Sequence, residues 1–195
     1  MKYSDMTLGT IEAVVNKLGG EDGVRRFLAG ELMLTASPTA IVAANPDLLI
    51  VDYSQTLAQM IADGHYDWVN SNIRSARFPL AGQGVEEVEF KEFHFDFDLE
   101  SDDAKTRIEA ADTVSPWMPA KIEHLLAFGK QFPEKQRQYP IVALGSVGEV
   151  YGDLCVPYLD RRDASRGLSL LRRGGRWGRS CRFLAVRKKV LATQT

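Results

Sequence analysis

The residues best suited to chemistry are Glu92, His94, Asp96, Asp98 and Glu100, which occupy every second position of one stretch. In a β-strand that spacing places an imidazole and four carboxylates on a single face, about 7 Å apart along the chain. Imidazole and carboxylate are ligands for a divalent metal, and clustered acids can serve general acid and base work. A mononuclear site needs its ligands within about 2.0–2.2 Å of one ion, which side chains on a single strand reach only with help from another element. The face therefore reads first as solvated charge opposite a Phe core. The alternative is a metal-dependent hydrolytic enzyme built on residues 92–100.

The second group lies in the C-terminal third, where Arg172, Arg173, Gly174, Gly175, Arg176, Trp177, Gly178 and Arg179 follow one another. Guanidinium, glycine and an aromatic ring together can hold phosphates and stack on unpaired bases. The Gly174-Gly175 pair equally suits a two-residue hairpin turn. If residues 176–187 form one regular strand, Arg176 and Arg182 point one way while Arg179 and Arg187 point the other, so a continuous basic face needs a bulge or twist. Arg172, Arg173, Arg176, Trp177, Arg179 and Arg182 are the expected nucleic-acid or anion-binding residues. The competing reading turns the same arginines toward the protein's own acids.

Other motifs fall short of a reaction. Gly145-Ser146-Val147-Gly148 lacks the glycine two positions before the serine that a nucleophile elbow requires, since Leu144 stands there. Gly145, Gly148 and Gly152 make no dinucleotide fingerprint, and no lysine follows Gly19, Gly20 and Gly23 in P-loop position. No cofactor is expected. His65 and His124 read as surface or capping residues, and Cys155 and Cys181 as buried free thiols, although a bridge between them needs only neighbouring strands.

Charge is distributed unevenly. Residues 161–195 carry eleven Lys/Arg against one acid, a net of +10, and residues 85–103 carry nine acids against Lys91, a net of −8. These segments must meet each other or each meet a partner.

At 195 residues and 45% hydrophobic content the chain can bury a proper core. Its start lacks a signal-peptide pattern and its longest apolar stretch, residues 40–51, is broken by Asn45, Pro46 and Asp47, so a soluble, cytoplasmic protein without membrane contact is expected. Ile11, Val14, Val15 and Leu18, then Val24, Phe27 and Leu28, repeat at helical spacing on either side of Gly19-Gly20. This predicts a helical hairpin over residues 1–34, followed by a linker at 35–46 that holds Pro38, Asn45 and Pro46. Residues 47–195 then predict a strand at 48–51, a helix capped by Ser54 and stopped by Gly64, and a strand at 88–99 with Phe93, Phe95, Phe97 and Leu99 inward. Two helices follow, one capped by Ser101 and one opening at Pro119 and closing at Gly129, before apolar runs in an antiparallel meander over 140–190. The fold class expected is α+β: an N-terminal helical hairpin followed by an α+β domain ending in an antiparallel β-meander.

The blocks IEAVVNKLGG near the N-terminus, YDWVNS at residues 66–71, PIVALGS at 140–146 and CRFLAVRK at 181–188 together resemble those of an uncharacterised family of small bacterial proteins. The resemblance implies a shared fold and nothing about chemistry. Composition and motifs point to a non-enzymatic binding module whose Arg-rich C-terminal sheet meets nucleic acid or an acidic protein, with a purely structural or oligomeric role as a third possibility.

Overall fold

The computed structural model describes residue 15, residues 20–29 and residues 48–188. The chain divides into two compact units, Met1–Ala43 and Ala44–Thr195. In the first, helix α1 (Gly20–Leu28) has Glu21 and Asp22 in its first turn and Arg25 and Arg26 in its last, an arrangement that complements the helix dipole. Apart from Val15, the partner helix of the expected hairpin lies outside the described residues, and so does the expected linker.

The second unit runs β1 (Leu48–Asp52), α2 (Leu57–Asp63), β2 (Trp68–Val69), β3 (Val85–His94), β4 (Leu99–Glu100), α3 (Ser101–Glu109), β5 (Met118–Pro119), α4 (Ile122–Gln131), β6 (Ile141–Val142), β7 (Gly148–Val150), β8 (Asp153–Arg162), β9 (Ser165–Arg172), β10 (Arg176–Trp177) and β11 (Arg182–Lys188). This is a mixed α and β fold on a large sheet ordered β1-β3-β11-β6-β8-β9-β2, with β5 beside β11, β7 beside β8, and β4 with β10 as a separate pair. No helix among the described residues is long and apolar enough to cross a membrane.

The last third departs from a simple meander. Strands β7, β8 and β9 do pair in antiparallel succession, and Tyr151 and Gly152 take the positive φ values that a tight hairpin turn requires. Strand β11 instead returns to the middle of the sheet, antiparallel to β3 and parallel to β6. Its sequence explains the position: Phe183, Leu184, Ala185 and Val186 are all buried, with Leu184 and Val186 in one core and Phe183 and Ala185 in the other. A strand apolar on both faces belongs where both faces are covered. One core collects α2 and α4 residues with Leu49, Val51 and Phe90, and the other collects Ile108 of α3 with Phe93, Trp117 and Trp177. Helix α4 is buried along its length from Ile122 to Gly129.

Several local expectations are corrected. The Phe alternation ends with β3 at His94; Phe93 and Leu99 are buried, but Phe95 is only half-buried and Phe97 is 43% exposed, lying under the Arg107 guanidinium. Leaving the strand at Phe95 lets the chain bend into β4, and the bend breaks the two-residue period. Thr56, not Ser54, caps α2, through a capping box with Gln59, while Ser54 is held by Asp52. Pro119 belongs to β5 and not to the first turn of α4. Ser101 is the first residue of α3, and its hydroxyl serves Trp177 instead of capping the helix.

Candidate nucleic-acid or anion interface

The acidic segment and the basic tail meet. Antiparallel pairing of β3 with β11 sets Glu89 opposite Arg187 and His94 opposite Arg182. Arg187 grips Glu89 at 2.6 Å and Asp112 at 3.1 Å, with its guanidinium over the Trp117 ring. Asp98 accepts the backbone N–H of Arg179 at 3.0 Å, and His94 Nε2 lies 2.9 Å from the Arg179 carbonyl oxygen. Glu92 holds Lys135 at 2.6 Å. Glu89, Glu92 and Asp98 thus go to different partners, Arg187, Lys135 and Arg179, and among the described residues no three His, Cys, Asp or Glu side chains gather as a cation site.

The expected anion-binding residues fall into two groups. Arg172, the last residue of β9, and Arg173 after it line, with Gly174 and Gly175, an open groove of about 610 Å³ completed by Glu100, Asp102, Asp153 and Leu154. Arg173 donates to Asp102 Oδ1 from Nε at 3.1 Å and from Nη2 at 2.5 Å, and Arg172 pairs with Asp153 at 2.8 Å. Both contacts are solvent-exposed, the Arg172 side chain at 73%, so each stabilises the fold by no more than about 1 kcal/mol. Arg176 and Arg179 beside them are exposed and make no ion pair among the described residues. Arg182 is turned away, over the Tyr139 ring and toward the Ser180 and Cys181 carbonyls.

Trp177 does not join this surface. It is 3% exposed, donates its indole N–H to Ser101 Oγ at 2.9 Å, and packs edge-on against Tyr158 and Phe183. Its ring faces are committed to the core and cannot receive a base. The reason lies in the β4–β10 pairing, which sets Trp177 opposite Leu99 and Arg176 opposite Glu100.

Sequence reading missed two buried polar groups. His124 is buried, not on the surface, but it fills the capping role, the other expectation: its Nδ1 accepts the N-cap Lys121 N–H of α4 at 2.9 Å, so the neutral ring carries its proton on Nε2, 3.1 Å from the Tyr53 hydroxyl, and donates to it. Burial lowers the His124 pKa to about 4 and, with the field of Glu123, raises that of Tyr53 to about 12. The Glu123 carboxyl is fully buried and its pKa is pushed up, foremost by desolvation. The Glu123 and Ala81 amides lie near enough to favour its ionised form, yet among the described residues neither oxygen has a partner at hydrogen-bonding geometry. Ser146 Oγ accepts the Ile122 N–H, and both His124 nitrogens are engaged. This is a hydrogen-bonded anchor for the start of α4, not an activated serine or tyrosine.

The other missed group centres on Arg166, whose Nη1 and Nη2 donate to the carbonyls of Gly64 and Gly129 at 2.7 and 2.6 Å and whose Nε donates to Gln136 at 3.2 Å. Gly64 caps α2 and Gly129 lies in the last turn of α4, so one guanidinium serves carbonyls at two helix ends. Cys155 and Cys181 are buried free thiols, as expected.

Comparison of the chain with protein-family models, with curated proteins and with solved structures finds no match. The functional reading rests on the geometry.

Proposed function

We propose that the protein is a non-enzymatic binding module that uses the Arg-rich end of its C-terminal sheet to hold an acidic segment of a partner protein. One observation carries the reading. Arg172 and Arg173 line an open groove, exposed Arg176 and Arg179 follow within the same eight residues, and among the described residues these four arginines are met by only two ion pairs, both weak and exposed. Asp102 and Asp153 occupy the positions that a partner's carboxylates would take, and an incoming acid can replace them at little cost. A mixed lining suits a protein partner better than nucleic acid: Glu100, Asp102 and Asp153 repel a continuous phosphate backbone, and the buried Trp177 offers no stacking surface.

The test is fluorescence anisotropy with a labelled hexa-aspartate peptide at low salt, comparing the native protein with the Arg172→Gln, Arg173→Gln double variant. Native binding reduced at least tenfold in the variant, with its melting temperature retained, fits the reading. Equal affinity in the two proteins contradicts it.

A further inference from the structure

The two free edges of the large sheet are treated differently. On β1 the Gln131 side chain from α4 acts as a strand substitute at the central residue: Gln131 Oε1 accepts the Ile50 N–H at 3.1 Å and Gln131 Nε2 donates to the Ile50 carbonyl at 2.7 Å. That edge is blocked at its middle. At the opposite side, β9 turns the backbone groups of alternate residues outward, as shown by the Arg166 and Leu168 carbonyls, which accept the Asp67 and Asn70 N–H groups at 2.9 Å. The Arg173 N–H points the other way, to Leu154 on β8. The same two-residue period directs Leu170 and Arg172 outward. Strand β2 stops short of them, because Asn70 Oδ1 accepts the Asn72 N–H and the chain turns off the edge. Among the described residues, the N–H and C=O of Leu170 and the N–H of Arg172 have no hydrogen-bond partner.

We infer that this open stretch of β9 receives an extended acidic segment of a partner protein as an added strand, in line with β2. The inference deepens the function proposed above and rests on it. Added strands gain affinity from the main chain and specificity from alternate side chains. The surroundings select for acid. Exposed Arg172 stands at the far end of the open stretch, and the segment that continues from β2, residues 68–85, contains Arg74 and Arg77 and no Asp or Glu, with Arg77 bonded to Asn72 Oδ1 at 3.0 Å just past the end of β2. A second copy fits less well, since two-fold pairing through Leu170 would drive each Arg172 against the other copy's β2.

The test uses a labelled six-residue peptide of alternating Asp and Val, and the same peptide N-methylated at every second residue, which keeps its charge and loses half of its donors. Leu170→Pro removes the outward N–H without breaking an internal hydrogen bond, as edge strands allow. The expected result is native binding reduced at least tenfold by Leu170→Pro and at least tenfold by N-methylation of one of the two alternate sets of residues, each set methylated in its own peptide, with hexa-aspartate binding unchanged in Leu170→Pro. If both methylated peptides bind the native protein as well as the unmethylated one, the edge is not used, and the groove reading stands on its arginine variants. Absence of binding by any acidic peptide overturns both. A concentration-dependent dimer abolished by Leu170→Pro would assign the edge to a second copy and overturn the inference. N-methylation leaves the protein unaltered, so its result holds even where the proline variant fails to fold.

Discussion

The indole N–H of Trp177 donates to Ser101 Oγ at 2.9 Å across 76 residues of sequence, tying the short β10 strand to the first residue of α3. An aromatic residue set among arginines and glycines is therefore a core residue, and the bond fixes the wall of the groove, which Asp102 and Arg173 share. Trp177→Phe, which keeps most of the ring but leaves Ser101 without its donor, is expected to cost about 1 kcal/mol, and Trp177→Ala about 3–5 kcal/mol, in denaturant unfolding. Single-stranded nucleic acid should bind Trp177→Phe and the native protein alike in mobility shifts.

Arg166 should be the least replaceable arginine. Arg166→Lys retains the charge but cannot span carbonyls on two helices and Gln136 at once, because an ammonium lacks the planar fork. A loss of about 3 kcal/mol is expected from the charged hydrogen bonds left unmade in a buried site. Equivalent denaturation midpoints for Arg166→Lys and the native protein would show that water replaces the fork.

Glu123 and His124 act on stability in opposite directions with pH. The folded pKa of Glu123 is raised, so its contribution is fully present below the unfolded value near 4.5 and is lost as pH rises through the folded pKa. Glu123→Gln should therefore stabilise the protein at pH 8 and flatten the alkaline side of its stability profile. The folded pKa of His124 is lowered from 6.5 to about 4, so its contribution is present above 6.5 and is lost as pH falls toward 4, on the order of 3 kcal/mol in full. His124→Gln should remove that acid-side loss, as read from melting temperatures between pH 4 and 7.

The Phe-rich strand marks how far the sequence could be read. Hydrophobic alternation locates the strand and the inward Phe93, but it has no signal for the bend at Phe95, because the period continues in the letters while the backbone leaves the sheet. Phe93→Ala should cost about 3–5 kcal/mol and Phe97→Ala under about 1 kcal/mol in the same unfolding assay. The acidic and basic segments are plain in the sequence. Their meeting is not, because it depends on β11 inserting between β3 and β6. Arg166 was hidden for a related reason: its partners are backbone carbonyls 102 and 37 residues away, and backbone groups leave no trace in residue type. Glu123, a charged residue within an apolar helix, was the one visible clue to the buried cluster.

Asp102 and Asp153 hold Arg173 and Arg172, and under the proposed function they stand in for a partner's carboxylates. The most direct measurement is hexa-aspartate affinity in the Asp102→Asn, Asp153→Asn double variant, set against the native protein at several salt concentrations. Freed from internal competition, the arginines should bind the peptide about tenfold more tightly at low salt, with the gain shrinking as salt screens both contests. Unchanged or weaker binding in that variant, with the fold intact, would contradict the account.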